Sequence, residues 1–396
     1  MGQTITQSAE QSANARLSVS GEPPHLFFLD HLRTALIILV VLHHVAVVYG
    51  EGVSFYYVEP PNKETLTYLV LLVFVLLNQS WFMGALFLVA GYFTPGAYDR
   101  KGAGSFLKGR LLRLGIPLLV WFFLLNPLSS IGFYLEPVPR IPGPLTWQAY
   151  PHFLGLGPLW FVALLLIFTA GYAAWRMLTR SRTPSSTGTS SRPGYLGVGI
   201  FILALALTSY LLRIVVPLGQ PVPLFVSWLS FPTIAYLPQY LSFFVLGVVA
   251  YRRNWFQTLP GSMGVIGVVV AVVAFVLLFP LAFFGGLGGQ FLGGGQWQSG
   301  VYALWDSVTA VGLCLGVMVL FRRVFNGSGQ VGRFLAHHSY AVYLIHTPII
   351  VALAVMLRDT GLENMLKFSL VAGVGVVLCF AAAAIIRSMP FVSRVL

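Results

Sequence analysis

Apolar residues fall into ten long runs, at 34–50, 66–94, 111–134, 158–178, 195–216, 231–251, 261–284, 301–320, 338–357 and 366–386. Each is long enough for a helix crossing a hydrocarbon core about 30 Å thick. The pattern predicts an all-α, polytopic integral membrane protein with about ten transmembrane helices. The second run is long for one helix and is interrupted by Asn78, Gln79 and Ser80, which predicts a tilt or a kink. The third contains Pro117 and Pro127 and is expected to bend. "GLCLG" at 312–316 suits close helix packing. No soluble domain or internal repeat is visible. The expected organisation is an N-terminal tail (1–27), a membrane domain (28–388) and a C-terminal tail (389–396).

Composition agrees with this pattern. The 396 residues are 57% hydrophobic and 9% charged, with mean hydropathy +0.83; a soluble domain carries about 25% charged residues. The net charge of +12 therefore need not mean nucleic acid, and no nucleic-acid partner is expected. With both termini inside, 18 Lys/Arg fall in cytoplasmic segments and five (Lys63, Arg140, Arg213, Arg358 and Lys367) on the other side. That asymmetry follows the positive-inside rule and requires an even number of spans. The expected location is a plasma membrane, with cytoplasmic termini. Residues 1–25 have no apolar core, so no cleaved signal peptide is expected. Residues 181–193 read as a cytoplasmic Ser/Thr/Pro linker and 285–296 as a flexible, glycine-rich outer loop. Cys314 and Cys379 lie in apolar runs and read as core residues, which supports neither a disulfide framework nor a metal cluster.

The polar residues inside the apolar runs carry the candidate chemistry. "HLRTALIILVVLHHV" (31–45) puts His44 eleven residues beyond Arg33, about 16 Å into the bilayer at about 1.5 Å per residue. In "AHHSYAVYLIHTPIIV" (336–351), His346 lies nine residues beyond His337, about 14 Å deep by the same rise. Two independent helices thus bring an imidazole to nearly the same depth. A single such histidine is as readily a hydrogen-bonded brace between helices. Two at matched depth, with Asn78 and Gln79 also near mid-membrane, favour a site. His43 and His44 point about 100° apart on a helix, so one can face the interior while the other meets a neighbour. Arg33 and His44 share a face, which favours His44 weakly. Asp30 and Arg33 are spaced to pair at the helix end. Asp306 is either a cavity residue or a group reaching the outer interface. Arg100, Lys101, Lys108, Arg110 and Arg113, clustered before the third span, fit either the positive-inside bias or a clamp for phosphates.

Several of these segments resemble one family. "LDHLRTALIILVVLHH" is similar to the first-helix motif of acyltransferase family 3, the integral-membrane acyltransferases, in which ten residues separate an arginine from a histidine. The resemblance selects His44 over His43. "LFLVAGYF" (86–93) resembles the family's Phe-rich segment, with Ala90 where serine is common, so a role for that hydroxyl does not carry over. "RLLRLGIPL" (110–118), "GPLWFVALLLIF" (157–168) and "SYAVYLIHTPIIV" (339–351) resemble later family segments in the same order.

The resemblance implies transfer of an acyl group, acetyl or succinyl, from cytoplasmic acyl-CoA to a hydroxyl of an extracytoplasmic carbohydrate or related acceptor. The family's glucan-modifying members share this short form. His44 is implied as base or acyl carrier, with Arg33 and His346 beside it in the catalytic set, and Trp160 and Tyr343 lining or orienting the site. Arg33, Lys108, Arg110 and Arg113 would hold the donor's phosphates. Acyl-CoA is then the donor substrate, the bilayer is the other partner, and no metal is expected. The rival readings are a transporter with mid-membrane histidines and a non-catalytic scaffold. Against the transporter stand the missing inverted repeat and the scarcity of deep acids.

Overall fold

A computed structural model describes residues 26–50, 55–60, 65–136, 146–179, 192–223, 230–231, 234–286, 289–327, 329–390 and 392–395. The expected N-terminal tail, apart from residues 26 and 27, and most of the 181–193 linker lie outside them. The longer helices are α1 (Phe27–Tyr49), α2 (Thr65–Gln79), α3 (Phe82–Arg110), a composite α4 (residues 111–130), α5 (Trp160–Leu178), α6 (Tyr195–Val215), α7 (Leu237–Arg252), α8 (Gly261–Phe284), α9 (Trp297–Val324), α10 (Gln330–Leu357) and α11 (Asn364–Ser388). The only strands among the described residues are a two-residue antiparallel pair, with Val222 opposite Phe231.

Nine helical stretches among the described residues are long and apolar enough to cross a membrane. One of them, Leu66–Leu135, has 70 residues and holds both the second and third apolar runs. It is divided in two places. At Ser80 and Trp81 the helix breaks, and Gln239 on α7 donates to the freed Ser80 carbonyl at 2.5 Å. Gln79 donates to the Tyr240 hydroxyl at 3.1 Å. The polar "NQS" therefore joins α2 and α3 to their neighbours, as expected for unpaired backbone groups in a setting that offers no water. The second division is Gly102, whose φ of +70° lies in the region glycine adopts without strain.

The prolines of α4 are absorbed by rewinding. Proline lacks an N–H and crowds the carbonyl four residues back. Just before each proline the chain takes a π-helical turn, Leu111–Gly115 ahead of Pro117 and Trp121–Leu125 ahead of Pro127. Ile116 N–H bonds the carbonyl of Leu111, and Asn126 N–H that of Trp121, five residues back in both cases. Local π adjustment replaces the expected simple bend.

Helix α1 lies at the centre, against α2, α3, α9, α10 and α11. α8 and α9 approach closely at the "GLCLG" segment: a Cβ on Gly312 would fall 2.3 Å from the Gly267 carbonyl oxygen. The start of α1, the first turns of α4 and the end of α11 share one end of the bundle, here termed the basic end. There Asp99 receives Arg252 at 2.5 Å and Arg176 at 3.6 Å, tying α3 to α7 and α5.

Two of the cations placed on the outer side by sequence are buried. Arg213 pairs with Asp306 at 2.6 Å, with side chains 0% and 2% exposed, so Asp306 is enclosed in the bundle rather than reaching the interface. The aromatic faces of Tyr236 and Tyr302 lie 4.9 and 5.8 Å from the Arg213 guanidinium. Lys367 pairs with Glu59 at 2.6 Å. The described part of the glycine-rich loop is docked on α6, where Gly294 N–H bonds the Arg213 carbonyl at 3.1 Å.

Candidate active site

The two deep histidines meet. Nε2 of His346 is 3.0 Å from Nδ1 of His44, and the ring centroids are 4.9 Å apart. The backbone fixes which nitrogens carry protons. Nδ1 of His346 is 2.7 Å from the Tyr343 carbonyl, which can only accept, so that nitrogen donates. Nε2 of His346 is then an acceptor, and the Thr347 hydroxyl, at 3.3 Å, can also donate to it. Nδ1 of His44 is 2.9 Å from the Val40 carbonyl and so also bears hydrogen, shared between Val40 and His346. The lone pair of His44 is left on Nε2. His346 is fully buried whereas His44 is partly open, so the available nitrogen belongs to the less enclosed ring.

His43 takes the other direction. Its ring lies 4.9 Å from Phe82 on α3, following the angular step of one residue on a helix. Phe55, from the segment between α1 and α2, stacks on His44 at 5.0 Å. Sequence reading gave no signal for this contact, because it comes from a loop.

A cavity of about 500 Å³ opens at the basic end. Its cationic lining is Arg33, Arg110, Arg113 and Arg387, and it extends inward past Ile37 and Phe161 to Tyr343. Ile37 and His44 are two turns apart on α1, and Tyr343 is one turn from His346 on α10. The cavity therefore points along the helix faces that carry the histidine pair. Arg33 lies 3.4 Å from Asp30, the pairing expected from their spacing, and donates to the Ala336 carbonyl at 3.2 Å. Its Nε is buried without a hydrogen-bond partner among the described residues, so it retains donor capacity. The Tyr340 hydroxyl bonds the Arg113 carbonyl at 2.9 Å, holding the start of α4 against α10.

Of the four cations expected to hold donor phosphates, Arg33, Arg110 and Arg113 share this cavity. Lys108 does not: it is exposed and absent from the lining. It lies two positions before Arg110, a rotation of about 200° on a helix, which turns it away. Arg387 takes the fourth place, with Nη2 2.9 Å from Nε2 of His337. Sequence reasoning counted Arg387 only as an inner-face charge. Ala90 also lines the cavity, so the position where the family often carries serine faces it as a methyl group. Tyr343 lines the cavity and donates its hydroxyl to the Pro158 carbonyl. Trp160 is not in the lining and stacks on Tyr240 at 5.1 Å.

An apolar helical bundle with a basic cavity pointing along the faces that carry an imidazole pair is the arrangement of the candidate site. Comparison with known proteins specifies the class. The acyltransferase family 3 model, described as an acyltransferase domain, matches residues 26–384; the chain belongs to that family and is a membrane acyltransferase. It is similar to glucans biosynthesis protein C of Escherichia coli O6:K15:H31 (strain 536 / UPEC), at 22% identity over 364 residues and 86% of each chain. The protein of the same name from Salmonella schwarzengrund (strain CVM19633) is also 22% identical, over 87% of each chain.

Proposed function

We propose that this acyltransferase moves an acetyl or succinyl group from cytoplasmic acyl-CoA to a hydroxyl of an extracytoplasmic carbohydrate or related acceptor. The observation that carries this reading is the alignment of the arginine-lined cavity with the histidine pair. The basic end would be the cytoplasmic face, as the distribution of Lys and Arg indicates. The donor's phosphates would bind among Arg33, Arg110, Arg113 and Arg387, whose planar guanidinium groups suit phosphate oxygens. The donor's pantetheine arm, roughly 15–20 Å long by an extended-chain estimate, matches the rise of about 16 Å from Arg33 to His44. The acceptor is proposed to be a carbohydrate because the relatives' printed name refers to glucans.

The chemistry follows from the tautomers. Nε2 of His44 takes the proton of the acceptor hydroxyl as its oxygen attacks the thioester carbon. The new C–O bond forms, the tetrahedral intermediate collapses and the C–S bond breaks. The leaving thiolate then recovers the proton from Nε2. While His44 is protonated, its Nδ1–H bond to Nε2 of His346 spreads the charge over both rings and holds the first imidazole in place. The same free lone pair could attack the thioester directly and carry the acyl group on nitrogen; ping-pong kinetics would select that route.

The test is turnover by purified protein in nanodiscs with a panel of acyl-CoAs and glucan acceptors, read by thiol release and by the mass of the product. Release of one CoA thiol per acylated acceptor supports the proposal and names the acyl group. Absence of both donor binding and thiol release across the panel would overturn it and favour transport.

A further inference from the structure

A second cavity, of about 350 Å³, is walled by α3, α6, α7 and α9. It shares no lining residue with the arginine-lined cavity. Its walls are apolar, with Val198 and Phe201 from α6, Phe243 and Leu246 from α7, and Val311 and Met318 from α9. Its charged lining residues are Arg192, just before α6, and Arg253, just after α7; both are exposed. The Arg253 guanidinium lies 5.7 Å from the Trp255 ring centre, an amphipathic side chain typical of the headgroup level. Charge thus sits at one end and hydrocarbon fills the rest.

That polarity selects the occupant. Water needs two to four polar partners, which these walls do not supply. An empty apolar void costs stability in proportion to its volume. The volume falls within the range of about 300–1,000 Å³ typical of small-molecule sites. α6, which forms one wall, has only 17% of its most apolar window buried in the bundle, so it faces lipid. Near the mouth it is held to α8 by the Tyr195 hydroxyl, 3.1 Å from the Ser262 hydroxyl. Basic pockets between membrane helices at headgroup depth bind anionic lipid heads.

We propose that this cavity is a binding site for an anionic glycerophospholipid. One acyl chain lies between α6, α7 and α9, and the phosphate is held by Arg192 and Arg253. The lipid completes the packing of α6, the least buried of the nine spans among the described residues. The site does not depend on the identity of the acyl donor or acceptor.

The test is native mass spectrometry of the full-length protein from detergent, titrated with phosphatidylglycerol or phosphatidylcholine. Three proteins are compared: wild type, Arg192→Ala/Arg253→Ala, and Val198→Trp, which fills the cavity from α6. Wild type is expected to retain one phosphatidylglycerol at least fivefold better than phosphatidylcholine. The arginine variant should lose that preference, and Val198→Trp should lose the retained lipid while remaining monodisperse. Equal retention of the two lipids by wild type would overturn the proposal. So would an unchanged phosphatidylglycerol preference in either variant, since annular lipid would explain it.

Discussion

Replacing His346 tests the proposed role of the second imidazole. Its Nε2 accepts the Nδ1–H of His44 at 3.0 Å, while the Val40 carbonyl accepts the same hydrogen at 2.9 Å. In His346→Ala the Val40 bond still favours the tautomer with a free Nε2. The loss falls on the state in which His44 is protonated. A hydrogen bond to a charged group contributes about 1.5–3 kcal/mol, which at about 1.36 kcal/mol per decade is roughly 10- to 150-fold in rate. His346→Ala should therefore lower kcat by that factor and leave the donor KM unchanged, because His346 does not line the basic cavity. His346→Gln should restore part of the loss, since an amide oxygen accepts the bond without taking the proton. The assay is steady-state thiol release in nanodiscs, with thermal unfolding measured on the same samples. A folded His346→Ala enzyme within twofold of the wild-type kcat would refute the reasoning.

Further outcomes follow from other contacts. Arg387→Ala should raise the donor KM at least tenfold with little change in kcat, whereas Lys108→Ala should change neither; the reverse order would remove Arg387 from the donor site. Removing one partner of the buried Arg213–Asp306 pair should destabilise the protein by about 3–5 kcal/mol, and the double variant Arg213→Met/Asp306→Leu should recover much of that; thermal unfolding reads both, and a neutral Asp306→Asn would contradict it. Phe55→Ala removes the ring stacked on His44. It should raise thioester hydrolysis relative to transfer by admitting water, measured as thiol released per acylated acceptor, and an unchanged ratio would exclude Phe55 from that role.

The spans were legible because lipid leaves the backbone no alternative to helix, so apolar run lengths map directly onto structure. The meeting of His44 and His346 was legible in part. Equal depth follows from residue counting, but contact also needs the two faces to turn towards each other, which only the packed bundle determines. That Lys108 falls outside the cavity lining was not legible because a run of basic residues hides helical phase. The place of Arg387 in the cavity was not legible because it lies on the last helix, while the other lining arginines come from the first, third and fourth. Nothing local to Asp306 identifies Arg213 as its partner, since the pair forms across two helices. The two π-helical turns of α4 were signalled by their prolines, but a proline alone does not distinguish rewinding from a kink.

The central claim is a divided site, with arginines that bind the donor and a histidine that acts on it. Its most direct test is equilibrium binding of CoA measured beside turnover for His44→Ala and Arg110→Ala/Arg113→Ala in nanodiscs. His44→Ala is expected to bind CoA within about threefold of wild type while losing acyl transfer to background, consistent with a general-base contribution of about 10²–10⁴. The arginine variant is expected to lose CoA binding. Wild-type turnover by His44→Ala, or undiminished CoA binding by the arginine variant, would contradict that division.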